Sequence, residues 1–322
     1  MIQEVRGNIS AGEEIAERIC WIAETSGDAE ANLIAHMLST QILLYGGKFR
    51  DSRQHGQAFL HAYERYTDPS LLERYSNDLG TVTYAHLSFG AWITGDQRLA
   101  NQWFAQAIQV ASELNHPFST SWMNTWGSAI DMFEGRVQEV LAKTDLAAEI
   151  ALEQRYEYIA AMAAMMRGWA LAQTDPAAGA QELDVAITRF KATGAGIVIP
   201  FFTAHLGHAY ARSAQAELAD ASFRRALRQT EKGGEHWSEA EIYRLQALAI
   251  LALDDASTDS AERSFLAGFE VAAKQGARRW QSNIAQDLVQ FYQSHGQAGE
   301  AEKYIPYTSL IGFANEEAHN GN

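Results

Sequence analysis

Two histidines three residues apart, His205 and His208, have a spacing that could do chemistry. On a helix this spacing places both imidazoles on one face, where they could bind a metal ion. No third ligand follows at a recognisable spacing, and Cys20 is the only cysteine in the sequence. The alternative is a pair of ordinary helix histidines. We favour this alternative, and we expect neither a metal nor a cofactor.

A second group of polar residues could bind a ligand rather than catalyse a reaction. Arg212 follows His208 by one helical turn and is expected to project into the same groove, and Tyr243 and Arg244 belong to the next helix pair. Guanidinium, phenol and imidazole groups along one groove suit an extended peptide or a ligand that carries a carboxylate. The alternative, favoured for Arg244 and the glutamates beside it, is a network of ion pairs between neighbouring hairpins.

Aromatic residues form a third candidate site. Trp122 and Trp126 are spaced i, i+4, so their rings lie along one face of a helix. Such a cluster could form an aromatic binding box. Tryptophans at this spacing more often pack between helices, and we favour that interpretation. Phe201, which starts the helix of the two histidines, completes the set of groove candidates.

The sequence lacks the motifs of known enzyme classes. Gly194 and Gly196 do not form a dinucleotide fingerprint, because Ile199 occupies the third glycine position. Asp131 and Glu134 are spaced i, i+3 but have no identifiable general-acid partner. No Ser-His-Asp or Cys-His arrangement can be placed. Whether the protein is an enzyme is left open, with a non-enzymatic protein favoured.

The element that positions the histidines is a helical hairpin over Pro200–Ala226. Its pattern is Leu206-Gly207-x-x-Tyr210 followed by Ala219-x-x-x-Phe223-x-x-Ala226. These are the spacings of a tetratricopeptide-type repeat. The glycine at position 207 allows a second helix to pack closely, and the alanines and phenylalanine form a stripe on the partner helix.

The rest of the chain contains further copies of this unit. The second helices are predicted to end at Asn115, Gln154, Gly194, Gly234 and Gly276, with gaps of 39, 40, 40 and 42 residues. A regular period of this size, with two helices in each unit, predicts a right-handed α-solenoid with a concave groove. Other predicted helices include 70–94 and 298–312, and only 194–200 has a strand-like composition.

Composition limits the compartment and the partners. The chain has 322 residues, 47% of them hydrophobic, and only 5 prolines, which allows long helices. Its formal net charge of -15 argues against nucleic-acid binding, which needs clustered Lys and Arg. Residues 1–10 lack the apolar core of a signal peptide, and no apolar run is long enough to span a membrane. We therefore expect a cytoplasmic protein with no membrane contact.

Several phrases of the sequence resemble the C-terminal tetratricopeptide-repeat region of bacterial signalling proteins, where a STAND-type ATPase follows a class III nucleotide cyclase or a DNA-binding domain. The phrases are Leu114–Ser119, Arg167–Ala172, Phe190–Ala195, Pro200–Gln215, Gly234–Leu245 and Lys274–Ala277. The resemblance implies a helical-repeat fold and a signalling role. His208 departs from it, because an acidic residue is usual there. The phosphate loop and the catalytic domains of that family have no counterpart in this sequence. The chain is therefore expected to be a free-standing relative of the repeat region or a fragment of a larger protein. An apparently complete first helix after Met1 favours the free-standing relative.

Together these observations predict one tetratricopeptide-like superhelix of about seven hairpins over residues 1–313, followed by a polar tail over 314–322. The favoured function is a non-enzymatic binding or scaffold protein in signalling or regulation. Its concave groove would bind a peptide, a protein segment or a small effector. An enzyme or small-molecule receptor with a cavity in the superhelix is the alternative, and self-association into a homo-oligomer also stays open.

Overall fold

The computed structural model describes residues 5–64, 70–75, 78–254 and 257–310, and within these ranges the chain forms helices and no strand. The helices are α1 (Ile9–Ser26), α2 (Ala29–Tyr45), α3 (Phe49–Tyr63), α4 (Leu71–Tyr75), α5 (Leu79–Ile93), α6 (Gln97–Leu114), α7 (Pro117–Phe133), α8 (Val137–Gln154), α9 (Glu157–Thr174), α10 (Pro176–Ala192), α11 (Ile199–Arg212), α12 (Ala216–Gly233), α13 (Glu239–Leu253), α14 (Thr258–Gln275), α15 (Arg278–Ser294) and α16 (Ala298–Glu302). A short 3-10 helix, Ile305–Tyr307, follows.

Successive helices pack as antiparallel pairs, and the pairs stack into a right-handed α-solenoid of tetratricopeptide-like hairpins, which confirms the predicted fold class. The first members of the pairs face the axis of the superhelix, and we name α2, α5, α7, α9, α11, α13 and α15 the inner helices. Their partners α3, α6, α8, α10, α12, α14 and α16 are the outer helices. In the described part of the chain, no helix is long and apolar enough to cross a membrane.

The predicted hairpin stripe is confirmed in α11 and α12. Ala219, Phe223 and Ala226 are buried on α12, where they face α11. A Cβ atom on Gly207 would lie 3.0 Å from Cε2 of the Phe223 ring. This distance is too short for a relaxed contact, so the missing side chain is what allows the two helices to pack so closely.

The predicted ends of the outer helices also agree with the structure. The chain enters the left-handed region directly after α6, α8, α12 and α14, at Asn115, Arg155, Gly234 and Gly276. A left-handed residue at this position ends a helix and lets its last carbonyls accept hydrogen bonds. These four outer helices therefore share a local stop signal.

Two expectations about local structure were wrong. The single helix predicted over 70–94 is divided into α4 and α5, and α5 begins after its capping residue Asp78. The helix predicted over 298–312 is interrupted after Glu302, and only the short 3-10 helix follows in the described residues. In the strand-like stretch 194–200, residues 194–198 connect α10 to α11, and Ile199 and Pro200 begin α11. The polar tail, 314–322, lies outside the described residues, so the division of the chain at 313 stays a prediction.

The array curves until its two ends touch. The Trp237 backbone N–H donates to the Tyr45 carbonyl at 3.1 Å, which joins the start of α13 to the end of α2. The ring centroids of Trp92 on α5 and Trp280 on α15 lie 5.1 Å apart. The Gly196 N–H donates to the carbonyl of Val5 at 2.7 Å, so the N-terminal segment closes the same gap. The superhelix is thus closed across its axis by side chains and backbone.

Candidate functional site

A cavity of about 50 Å³ lies between the inner helices, and we name it the inner cavity. Its wall is largely aromatic, with rings from α2, α5, α7, α9 and α11 and the indole of Trp237. Met132, Met162 and Met166 complete much of the remaining surface. One water occupies about 30 Å³ of liquid, so the inner cavity, at about 50 Å³, has room for about two waters or one small aliphatic side chain.

Phe133 is the centre of the aromatic wall. Its ring centroid lies 5.3 Å from that of Phe89, 5.6 Å from Phe201, 6.1 Å from Trp237 and 5.5 Å from Trp280. Most of these pairs are edge-to-face, an arrangement in which the positive ring edge meets the negative face. Because the rings come from opposite sides of the superhelix, the concave face is narrowed here to a small apolar space.

The inner cavity is partly open to solvent. Four of its lining residues, Trp126, Phe133, Tyr158 and Val198, are only half-buried, whereas Phe201, Phe202 and Trp237 are buried. The half-buried side chains therefore form a rim and the buried ones a floor. An apolar group that approached along the concave face would meet the rim first.

Val198 stands at this rim with a strained backbone. Its φ of 61° and ψ of -1° place it in the left-handed region, which a β-branched residue rarely adopts. Such a conformation costs about 1–3 kcal/mol and persists only when the surroundings hold it. Here the Val198 N–H donates to Oε1 of Glu235 at 2.8 Å. The strain marks the turn before α11 as a position that the tertiary structure controls.

Glu235 holds two walls of the inner cavity together. The same Oε1 atom accepts from the backbone N–H of Val198 and, at 2.9 Å, from Nε1 of Trp237. The residue is only 1% exposed. Burial raises the pKa of the Glu235 carboxyl to about 8, although both hydrogen bonds and the nearby His236 oppose the shift. At neutral pH the carboxyl is therefore mostly protonated, and it acts as a positioning residue for the cavity wall.

Two of the residues predicted from the sequence line the inner cavity. Phe201 contributes to the floor and Trp126 to the rim, so the structure brings them together. Trp122 is buried one layer behind, with its ring centroid 5.3 Å from Trp126 and 6.0 Å from His86. Burial lowers the pKa of His86 to about 4, so this ring is neutral and belongs to the packed layer.

Arg244 is an ion-pair residue between two inner helices. Its Nε and Nη2 atoms donate to the carboxylate of Glu241, both at 2.7 Å, and Nη1 donates to Asp287 at 2.8 Å. Burial alone would lower the pKa of Arg244, but the two carboxylates hold it above its usual value. This is the network between hairpins that the sequence favoured for Arg244, with Asp287 as an additional partner.

His205 and His208 are neutral groups beside this network. Burial lowers the pKa of His208 to about 4, and the positive charges of Arg244 and Arg212 act in the same direction. Burial also lowers the pKa of His205, whose ring centroid lies 4.5 Å from that of Phe201. Among the described residues, no group of three His, Cys, Asp or Glu side chains has the spacing of a metal site.

Arg212 and Tyr243 are used in packing between helices. The guanidinium of Arg212 donates to the carbonyl of Ala172 at 2.8 Å and to that of Gln173 at 3.2 Å. It therefore caps the carboxyl end of α9 rather than projecting into the groove, because the last carbonyls of a helix lack partners within that helix. Tyr243 is half-buried against α14, where a Cβ atom on Gly268 would lie 3.1 Å from that of Tyr243. Neither residue lines the inner cavity.

Sequence reasoning missed Val198 and Glu235. A β-branched residue gives no signal for a left-handed turn, since glycine or asparagine is usual there. The only local hint for Glu235 is its place beside Trp237 in a turn that follows two glycines. The contact that gives Glu235 its role spans 37 residues, from the α12–α13 turn to the α10–α11 turn.

No family model matches the chain, and no curated protein matches it. Solved structures of similar fold include those of two Rap proteins. One is a crystal structure of a Rap protein complexed with competence and sporulation factor, with a TM-score of 0.65 at 10% identity over 91% of this chain and 77% of that chain. The other is the apo form of RapI, with a TM-score of 0.56 at 14% identity over 87% of this chain and 99% of that chain. The likeness at these identities is one of fold, and it confirms the helical-repeat part of the sequence resemblance.

Proposed function

We propose that this chain is a non-enzymatic binding protein whose concave face takes a peptide or a segment of a partner protein. The observation that carries the proposal is the inner cavity, an apolar space of about 50 Å³ in the middle of an aromatic face. A single aliphatic side chain of the ligand would enter between Trp126 and Phe133 and reach Phe201 on the floor. Interfaces commonly depend on a few such anchors in desolvated pockets.

The composition of the wall supports this ligand. Met132, Met162 and Met166 have unbranched, flexible side chains that adapt to different apolar groups. The volume argues against a small effector as the main ligand, because pockets for such molecules usually measure about 300–1,000 Å³. A short apolar anchor on a longer segment fits the space better.

Two further observations support a regulatory role. The Rap protein of similar fold was crystallised in complex with competence and sporulation factor, so this architecture accommodates a bound factor. The sequence phrases that resemble the repeat region of STAND-type signalling proteins point the same way. We accordingly propose a signalling role and a cytoplasmic location for the protein. Binding at the inner cavity does not require a homo-oligomer, so self-association is a separate proposal.

The proposal can be tested by filling the inner cavity. Ala129 lies in its wall, and Ala129→Leu adds three carbon atoms there. Ala105→Leu makes the same change at an exposed position of α6 and serves as the matched control. A random peptide array is probed with the wild-type chain and with both variants, and their folding is checked by circular dichroism. We expect the selected peptides to share an apolar residue and to lose at least about tenfold in affinity for Ala129→Leu only.

Equal binding of the selected peptides to both variants would contradict the proposal. If Ala129→Leu does not fold, Met162→Ala enlarges the same cavity instead. That variant is expected to shift the selected anchor from smaller to larger apolar side chains. If Met162→Ala selects the same anchor side chains as wild type, the proposal is likewise contradicted.

A further inference from the structure

A second and larger space, which we name the seam cleft, lies where the two ends of the array meet. One lobe has a volume of about 630 Å³ and is walled by α3, by α5 with its following turn, and by the α14–α15 turn. An adjoining lobe of about 490 Å³ shares Phe49, Arg50 and Gln275 with the first. His86 lines the larger lobe, and its ring centroid lies 5.8 Å from that of Tyr45, which lines the inner cavity. One layer of side chains therefore separates the two sites.

The seam cleft has a charge opposite to that of the whole chain. The sequence contains 25 Lys and Arg against 40 Asp and Glu. The larger lobe, however, is lined by the guanidinium groups of Arg50, Arg53 and Arg278 and by one carboxylate, that of Asp96. The smaller lobe adds Lys48 and Lys274, together with the carboxylates of Asp51 and Glu239. The two lobes together thus have five Lys and Arg side chains against three carboxylates, a positive excess in a recess that is large enough to hold a ligand.

Arg50 is placed to bind a ligand at the junction of the two lobes. Its side chain is exposed, and none of the residues that the structure describes forms an ion pair with it. Arg53, in contrast, pairs with Asp96 at 3.1 Å and lies 5.5 Å over the ring of Trp103. Arg53 is therefore held as part of the wall, while the planar fork of Arg50 can donate two parallel hydrogen bonds to a carboxylate.

Among the described residues, each lysine of the smaller lobe has one ion-pair partner. Lys48 contacts Glu13 at 2.8 Å, and Lys274 contacts Glu270 at 2.8 Å. The Lys274–Glu270 pair is exposed on both sides and contributes little free energy, and the Lys48 side chain is itself 51% exposed. Each ammonium group can exchange its partner for a carboxylate of a ligand at small cost.

We propose that the seam cleft binds an acidic peptide segment, with Arg50 as its main carboxylate-binding residue. The site is distinct from the inner cavity and does not depend on the function proposed there. Carboxylates spaced along a peptide fit a surface where cationic groups alternate with Asp51 and Asp96, whereas the dense charge of a nucleic acid would be repelled by these carboxylates. Phe49 and Leu87 offer apolar contacts to the aliphatic parts of the segment.

The test compares two charge reversals that change the net charge equally. Arg50→Glu acts in the seam cleft, and Arg228→Glu acts at an exposed position of the outer helix α12. Fluorescence anisotropy is measured with a labelled peptide of alternating glutamate and serine, and with its glutamine counterpart. We expect the glutamate peptide to bind wild type and Arg228→Glu equally, and to lose about tenfold or more in affinity for Arg50→Glu. Binding to wild type should weaken as salt is raised.

The outcomes separate this proposal from its alternatives. Equal affinity of the two variants, or equal binding of the glutamine peptide, would overturn it. Inorganic phosphate is added as a competitor, and if its affinity equals that of the glutamate peptide, the cleft binds a small anion and the proposed ligand is wrong. The Ala129→Leu variant should bind the acidic peptide with the affinity of wild type, because the substitution lies in the inner cavity. The seam-cleft result therefore stands even if the inner-cavity proposal fails.

Discussion

Replacing Glu235 by glutamine should make the protein more stable at alkaline pH than wild type. Burial raises the pKa of the folded-state carboxyl to about 8, whereas an unfolded glutamate titrates near 4.5. Between these two values the folded chain keeps a proton that the unfolded chain has lost. Wild-type stability at this residue is therefore fully present below about pH 4.5 and falls as pH rises toward 8. Glutamine does not titrate and keeps an oxygen that can accept from Val198 and Trp237.

The size of the effect follows from proton linkage. A difference of one bound proton changes the free energy of unfolding by about 1.4 kcal/mol per pH unit. The stability difference between Glu235→Gln and wild type should therefore be nearly constant below pH 4.5 and rise by about this amount per unit between pH 5 and 8. His236, whose pKa is raised first of all by its hydrogen bond to Glu239, is present in both proteins, so its own contribution largely cancels in the difference.

The assay is urea denaturation followed by circular dichroism at pH 5, 6, 7 and 8, with the slope of the transition compared between the two proteins. Repeating the pair in a His236→Asn background removes the charge that opposes the shift at Glu235. A difference that stays constant from pH 5 to 8 would refute the reasoning, because it would mean that Glu235 is ionised in the folded protein.

Two further changes test how the repeats are held together. Arg244→Leu should lower the free energy of unfolding by about 3–5 kcal/mol, because it leaves two carboxylates near the axis without their counter-ion. The measurement is chemical denaturation, and a decrease below about 1 kcal/mol would show that the ion-pair network is not needed for stability. Gly179→Ala should cost about 1–3 kcal/mol, since its Cβ atom would meet the backbone of Ala172 where the helices α9 and α10 touch. Gly299→Ala, whose Cβ atom meets nothing within 4 Å, is the control for thermal denaturation, and equal melting temperatures would contradict the packing argument.

The repeat architecture could be predicted because its signals are local. Gly207 and Phe223 belong to one hairpin, and left-handed helix ends such as Asn115 and Gly234 recur with a nearly constant period. These patterns depend on residues less than one repeat apart. The ion-pair role of Arg244 was also open to prediction, since its first partner Glu241 lies three residues away on the same helix.

The candidate sites could be predicted only in part. Phe201 and Trp126 were both named as groove candidates, but they are 75 residues apart, and no pattern indicated that they line one cavity. Arg212 was assigned to the groove from its helical register, which says nothing about the carbonyls of α9 that it caps. A long side chain is directed by its nearest unpaired acceptors as well as by its position on the helix.

By itself, the sequence determined the helices, their pairing into hairpins and the stacking of these hairpins, since each depends on contacts within about 40 residues. Tertiary structure alone decided how far the array curves. That curvature brings Tyr45 to Trp237 and Trp92 to Trp280, which closes the superhelix, leaves the inner cavity at its centre and forms the seam cleft between its ends. Small rotations at each hairpin add along the whole chain, so contacts between distant repeats depend on their sum and have no local pattern in the sequence.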